Sequence, residues 1–455
     1  METHFSLTQL ADPALKEAES ILRRCVHCGF CTATCSSYVL LGDERDSPRG
    51  RIYLIKDMLE NSRKATTEVR FHLDRCLSCL SCMTTCPSGV DYMHLIDYAR
   101  VHVEKTAPRS AKDRLTRRLL QAVLPHPARF RAALWLAIFA KPLRGLIAKA
   151  GLKEMAAMVS KARLPAASAI HKGPRIIPAK GPRRARVALL AGCAQQVLRP
   201  QINDAAIELL TAQGVEVVLA RGEGCCGALV HHMGREEAAR DFARRNVLAW
   251  EHTMVETPLD AILVTASGCG TTVKDYGHML SGDPAYAGRS KAVSALAKDI
   301  TEFLADMIDI GAPQGWSDIR VAYHSACSMQ HGQRVNEQPR RLLRDAGFSV
   351  AEIGEGHLCC GSAGTYNLLQ PEIAGELRER KLGNIRKTEP DCVATGNIGC
   401  IAQLAGRDAP PVVHTVELLN WAYGGACPAE IRHLRGRIHT MHEEFGEKQP
   451  EEAMA

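Results

Sequence analysis

The sequence predicts an α+β chain in which an α-helical domain gathered round two cysteine runs is followed by two copies of an α/β unit. Three observations carry that reading. Cysteines stand at Cys25, Cys28, Cys31 and Cys35, and again at Cys76, Cys79, Cys82 and Cys86. Landmarks in the C-terminal part recur 131 to 134 residues apart. Each copy alternates short apolar runs with helix-period segments, a βαβαβ pattern. The expected domains are 1–107, a basic helical and linker segment 108–186, the repeats 187–312 and 313–440, and a disordered acidic tail 441–455.

Both N-terminal runs read C-x2-C-x2-C-x3-C, the second followed by Pro87, which is the two-cluster ferredoxin pattern. Two residues between successive cysteines let one turn of loop aim three thiolates at three irons of a [4Fe-4S] cube. The fourth ligand in that pattern comes from the other run. The expected sets are Cys25, Cys28, Cys31 and Cys86 for one cluster, and Cys76, Cys79, Cys82 and Cys35 for the second. Four thiolates also make a structural zinc site, but zinc motifs usually come as two well-separated C-x2-C pairs.

Gly29 can turn backbone amides inward, and Arg23, Arg24, Arg49, Arg51, Arg70 and Arg75 either offset the clusters' negative charge or form a solvated face. Ser36 stands where the second run has Pro87. Its amide and hydroxyl are expected to raise the potential of the neighbouring cluster slightly.

At 455 residues and 46% hydrophobic content, the chain suffices for two to four compact domains. Its 18 cysteines lie in ligand-like clusters, and Met1 to Leu10 lack an apolar core, so a cytosolic chain with reduced thiols is expected. The best apolar run, residues 132–140, is too short to span a membrane. Charge is uneven: residues 105–186 hold 20 Lys or Arg against two acids, while the rest carries 37 basic and 48 acidic residues. A basic middle in an acidic protein signals docking on an anionic surface, with no nucleic-acid partner expected.

In chain order, residues 13–24 read as a helix with Ile21 and Leu22 on its apolar side. Ser47-Pro48 is a cap and first-turn proline for a helix over 51–60, and 93–104 is helical. Between 110 and 159, Leu115, Leu119, Val123, Phe130, Leu134 and Ile138 recur at helical spacing among basic residues. This section is read as lying on a membrane surface, docking on an acidic subunit, or forming a solvated linker. Residues 164–186, rich in Pro, Gly, Lys and Arg, read as an extended linker.

The repeats are fixed by landmarks. Arg186-Val187-Ala188 recurs as Arg320-Val321-Ala322, Cys193 as Cys327, Cys225-Cys226-Gly227 as Cys359-Cys360-Gly361, Gly214 as Gly347 and Cys269 as Cys400. The first copy reads as strands 187–190, 215–219 and 261–265 with helices 203–212 and 235–250. Cysteines then sit beyond the carboxyl ends of parallel strands, where such sheets bind ligands. Cys193, Cys225, Cys226 and Cys269 converge in one crevice, with Cys327, Cys359, Cys360 and Cys400 as counterparts. Gly222, Gly224 and Gly227 formally spell G-x-G-x-x-G, but cysteines fill its two middle positions and no acidic residue ends the next strand. No flavin or NAD site is expected on this chain.

Residues 25–35, 48–56 (PRGRIYLIK), 265–270 (TASGCG) and 358–366 (LCCGSAGTY) carry a resemblance over nearly the whole chain. It resembles the cysteine-rich family that includes the cysteine-rich subunit of heterodisulfide reductase, the iron-sulfur subunit of anaerobic glycerol-3-phosphate dehydrogenase and lactate-utilisation proteins, and above all the glycolate oxidase iron-sulfur subunits. The resemblance implies an acceptor-linked oxidoreductase complex in which FAD-containing subunits oxidise glycolate to glyoxylate. This chain then carries electrons toward quinone or another membrane acceptor, in the cytoplasm or peripherally on the cytoplasmic face of the inner membrane. Alternatives are a thiol-disulfide or heterodisulfide reductase subunit, or the iron-sulfur subunit of a lactate or glycerol-3-phosphate dehydrogenase.

The family's full repeat has five cysteines and can hold a non-cubane [4Fe-4S] cluster, whereas here Ala266 and Asn397 occupy one cysteine position, and Ser325 stands where relatives often carry another. The repeats therefore hold a further cluster, structural zinc, or packed reduced thiols. His232 and His324 are either ligands or proton carriers, or hydrogen-bonded residues of the fold. Cys392 and Cys427 fall outside the pattern and read as packing residues.

Overall fold

A computed structural model describes residues 1–145 and 175–440, apart from 309, 312 and 314. The basic section beyond residue 145 and the tail 441–455 lie outside the described residues.

The N-terminal unit is helical. Helix α1 (Pro13–Arg24) starts on Asp12, whose carboxylate accepts the Ala14 N–H, and has proline in its first turn. Helix α2 (Pro48–Glu60) begins one turn earlier than the sequence suggests, with Ser47 accepting the Gly50 N–H at 2.9 Å. Helix α3 (Tyr92–Thr106) closes the unit. Leu22, Ile55 and Leu95, one from each helix, are fully buried in their common core.

Helices α4 (Ala111–Val123) and α5 (Pro127–Ala140) follow, and much of their apolar surface is exposed. In α4 the buried residues are Thr116, Arg117 and Leu120, while Leu115 and Leu119 face solvent. Arg117 is held inward by Asp113 and Asp74, which rotates the predicted apolar stripe outward. In α5 Phe130, Leu134 and Ile138 are half-buried, but Trp135, Leu136 and Phe139 are exposed on the other side.

Two sheets follow. The first has the order β1-β3-β2-β4-β5, with β1 (Arg175–Ile177), β2 (Ala185–Leu190), β3 (Val215–Leu219), β4 (Ala261–Val264) and β5 (Ala297–Asp299). All neighbours are parallel except β1, which runs antiparallel to β3. The expected linker is thus partly strand. The second, β10-β9-β7-β8, is wholly parallel and is built from β7 (Arg320–Tyr323), β8 (Ser349–Glu352), β9 (Cys392–Thr395) and β10 (Val412–His414). A separate ribbon pairs β6 (Gly315–Ser317) with β11 (Ile438–Thr440).

The order β3-β2-β4-β5 repeats as β8-β7-β9-β10, so the duplication is structural as well as sequential. Helices α6 (Gln201–Ala212) and α7 (Glu236–Met254) serve the first copy, and α8 (Ser267–Lys274) follows β4. Helices α9 (Glu337–Asp345), α10 (Pro371–Arg386) and α11 (Ile398–Leu404) are their counterparts, and α12 (Thr415–Ala422) follows β10. Strand β2 is buried along its whole length, as expected of a strand covered on both faces.

The copies meet at the carboxyl edges of their sheets. The Ser267 N–H donates to Gly396 O at 3.1 Å and His414 Nε2 lies 2.7 Å from Thr265 O. Leu189 and Val217 of one sheet share a single core with Val321 and Val413 of the other.

Candidate metal centres

The two cysteine loops have one backbone conformation. Residues three and five of each take positive φ: His27 (54°) and Gly29 (86°) in the first, Ser78 (50°) and Leu80 (62°) in the second. Gly29 is needed for a second reason, since a Cβ there would lie 2.7 Å from Arg49 Nη1. Leu80 holds the left-handed conformation with a side chain, a local strain that costs about 1–2 kcal/mol.

The loops wrap two adjacent cavities. One is lined by Cys25, Cys28, Cys31 and Cys86, with Cys82 also reaching it. The other is lined by Cys35, Cys76, Cys79 and Cys82. The structure thus places Cys86 with the first run and Cys35 with the second. Cys82, Pro48 and Tyr92 line both cavities and form the wall between them. No carboxylate lines either; the cysteine sulfurs are the main donors, joined at the first cavity by the His27 ring and at both by serine hydroxyls. Burial pushes the Cys31 thiol up to about 11 and raises Cys79 and Cys82 further, so a metal entering here displaces thiol protons.

Of the six arginines singled out in the sequence, Arg51 has the decisive position. It is 1% exposed, donates to His72 O at 2.8 Å, to Ser37 Oγ at 3.0 Å and to Asp46 Oδ1 at 3.3 Å, and its Nη1 lies 3.9 Å from Cys35 Sγ. Asp46, wholly buried, also takes Arg75 at 2.8 Å and His72 Nδ1 at 3.0 Å. Arg49 donates to His27 O in the first loop at 3.3 Å. Arg70 donates to Pro108 O, and Arg23 and Arg24 are exposed. Sequence reasoning missed Asp46 and Tyr92, whose hydroxyl lies 3.8 Å from Cys76 Sγ. Nothing in a lone acid or tyrosine marks it out.

The repeat cysteines do not form two separate crevices. Cys193, Cys226 and Cys269 line one cavity of about 190 Å³ together with Cys327, Cys359, Cys360 and Cys400, and Cys225 is buried behind them. Sulfurs touch in sequence, Cys193–Cys225–Cys226–Cys269 in one copy and Cys327–Cys359–Cys360–Cys400 in the other. The Cys225 sulfur and then burial push Cys193 well above the ordinary thiol range, and Cys359 and burial do the same to Cys327.

The glycine after each vicinal pair donates its N–H to the first sulfur of the pair, at 3.4 Å in both copies. Asn397 donates to Cys400 Sγ at 3.4 Å. Leu77, Ser78 and Cys79 line this cavity as well as the second N-terminal one, so three cysteine-lined cavities stand in file.

His324 is 2% exposed and lies with Cys360 and Cys400, their donor atoms within 4.8 Å of one another. Burial pushes its pKa down to about 3. His232 lines the rim of the cavity, its Nδ1 3.8 Å from Asp97 Oδ1. Cys392 is buried inside β9 and Cys427 packs against the same core, so both are packing residues.

Comparison with known proteins follows the same division. The family description "4Fe-4S dicluster domain" matches residues 24–90, and "Cysteine-rich domain" matches residues 187–274 and 321–405. The glycolate oxidase iron-sulfur subunit of Escherichia coli (strain K12) is 42% identical over 423 residues, covering 93% of this chain and 99% of its own. The chain belongs to the glycolate oxidase iron-sulfur subunit family.

A probable glycolate oxidase iron-sulfur subunit of Bacillus subtilis (strain 168) is 30% identical, covering 85% of this chain and 89% of its own. Lactate utilization protein A of Geobacillus kaustophilus (strain HTA426) is 27% identical, with 52% of this chain matched to 98% of that one. In fold alone, a hypothetical protein from Helicobacter pylori is similar at a TM-score of 0.52 and 10% identity, covering 92% of this chain and 74% of that one. As an iron-sulfur subunit of this family, the chain belongs to an oxidoreductase complex, and its cysteine sets fit iron-sulfur clusters.

Proposed function

We propose that this subunit takes electrons from FAD on partner subunits while they oxidise glycolate to glyoxylate, and delivers them toward a membrane acceptor such as quinone. The observation behind the reading is the file of three cysteine-lined cavities, each sharing residues with the next. In this reading residues 1–107 form the cluster-holding unit, and 187–312 and 313–440 form the repeats.

We assign Cys25, Cys28, Cys31 and Cys86 to one [4Fe-4S] cluster and Cys76, Cys79, Cys82 and Cys35 to a second, with the repeat cysteines as further ligands. Clusters bound there supply one-electron carriers at fixed positions. The protein's own part is to hold and insulate them. Ile52, Pro48 and Tyr92 close the first cavity against water, while exposed Cys28, Val26 and Phe30 make its loop the outer end of the file. Arg51 balances thiolate charge at the inner one.

The exposed Trp135, Leu136 and Phe139 of α5, with Arg129 and Arg144 nearby in sequence, support a peripheral seat on an anionic membrane face. No helix among the described residues is long and apolar enough to cross a membrane.

Anaerobic purification with iron and sulfide analysis and spin resonance of the reduced protein tests the reading. About eight irons mean two cubes, and about twelve or more mean that the repeats are loaded. Colourless, iron-free material that still supports its complex's turnover overturns it. A second reading, a disulfide reductase, draws on the two vicinal cysteine pairs at one cavity. Turnover of a disulfide by this chain alone, without a flavoprotein, would favour it.

A further inference from the structure

The two repeats share topology and cysteines, but the buried residues around their cysteines differ at two positions. Leu190 and His324 stand at the same register, each two residues beyond the Arg-Val-Ala of β2 or β7. Both side chains are buried, and Leu190 lines the shared cavity. The second difference lies on α7 and α10. Gly227 packs against Ala239 and Gly361 against Ala374, and seven residues further on stand Asn246 and Lys381. Asn246 is neutral and bonds to the Cys225 and Gly224 backbone, whereas Lys381, 2% exposed, donates to Glu355 O at 2.8 Å within electrostatic reach of Cys327, Cys359 and Cys360.

We propose that the second repeat holds an iron-sulfur cluster through Cys327, Cys359, Cys360, Cys400 and the imidazole of His324. The proposal rests on the reading that the repeat cysteines take iron. His324 Nε2 is buried and makes no hydrogen bond. A buried ring nitrogen left unsatisfied is destabilising, and a bond to iron accounts for it. Its place beside Cys360 and Cys400 restores a fifth donor to a repeat in which Asn397 holds one cysteine position. The first repeat, with Leu190, has four thiolates and no such group. A neutral imidazole in place of a thiolate, together with the buried Lys381 cation, favours the reduced cluster. The second repeat is therefore the electron-accepting half of the pair.

The test uses the full chain purified anaerobically, native and as His324→Cys and His324→Leu, with 15N-histidine labelling. Native protein is expected to carry iron beyond the roughly eight atoms of two cubes, and its reduced form to show a spin-echo nitrogen coupling that changes with the label. His324→Cys keeps the iron, loses the coupling and has a lower midpoint potential. His324→Leu loses the coupling and the second repeat's iron while the N-terminal signals persist. Iron of only about eight in the native chain overturns the loaded-repeat reading and this assignment with it. Extra iron with no label-sensitive coupling, or a coupling that survives in both variants, overturns the His324 assignment alone.

Discussion

The Ser36 hydroxyl accepts the backbone N–H of Cys359 at 3.0 Å, tying the residue after the first cysteine run to the vicinal pair of the second repeat. Ser36 is wholly buried and Cys359 is 3% exposed, so this bond is made away from water at the seam between two cysteine-lined cavities. The sequence suggests that Ser36 tunes a potential through its own loop. The structure adds a joining task for its hydroxyl.

Ser36→Ala leaves the Cys359 N–H without its acceptor and is expected to cost about 1–3 kcal/mol of stability. Urea unfolding of native and variant protein measures it. A difference below about 0.5 kcal/mol would show that the bond contributes nothing at the seam.

Arg51 is placed to act on both stability and potential. Arg51→Met leaves Asp46 short of one cation in a fully buried site, at a cost of about 3–5 kcal/mol. It also removes positive charge 3.9 Å from Cys35 Sγ, so the midpoint potential of the cluster held there is expected to fall. Arg51→Lys restores the charge without the planar fork and should recover the potential more fully than the stability. Redox titration giving equal potentials for native and Met protein would end the electrostatic part of this account.

His94 links the N-terminal unit to the first repeat. Burial alone lowers its pKa, but Asp275 at 3.0 Å from Nε2 and Asp91 at 2.7 Å from Nδ1 override that and push it up to about 10. His278 stacks on the ring at 3.5 Å, and its own Nδ1 is 3.6 Å from Glu17. Since the folded value exceeds the unfolded value of about 6.5, the contribution is complete below about pH 6.5 and drains away as pH rises toward 10. Unfolding free energies taken across that range are expected to fall more steeply in native protein than in His94→Asn.

Trp135, Leu136 and Phe139 are 48%, 70% and 75% exposed. At roughly 1.5 kcal/mol for each large side chain inserted into lipid, replacing all three by Ser lowers binding to phosphatidylglycerol-rich vesicles by roughly a thousandfold. Co-sedimentation that is unchanged in the triple variant would remove the membrane face from the proposed function.

The cysteine spacing carried more of the site than any other signal, because thiolates that must meet one cube leave little freedom in their separation. Cys86 and Cys35 do line opposite cavities, as the crossing requires. The repeat offsets likewise foretold strands β2, β3 and β4. What stayed hidden was set by tertiary packing. Strands β1, β5 and β10 are three residues each, too short for periodicity to show. Leu115 and Leu119 are legible as an apolar stripe, but that the ion pairs of Arg117 hold a different face of the helix inward is not. Lys381 carries no mark in the sequence, and only the fold brings it near the second repeat's sulfurs.

The glycines after the vicinal pairs allow a graded comparison between the copies. Gly227 has φ of 89° and Gly361 of 88°, so alanine at either position pays about 1–2 kcal/mol for the left-handed conformation. The space around them differs. A Cβ at 227 would meet Ala239 O at 3.0 Å, which a small shift of α7 relieves, whereas one at 361 would meet Ala374 O at 2.5 Å and Ala374 Cα at 3.0 Å. Both contacts are with helix backbone, but the second is half an ångström closer, so α10 has to move away from the cysteine pair and take Lys381 with it. Gly361→Ala is therefore expected to be the more damaging by at least about 1 kcal/mol, with a loss of iron from the second repeat that Gly227→Ala does not cause there. Thermal unfolding and iron analysis of the two variants side by side decide the matter, and equal damage would mean that the two helices yield alike.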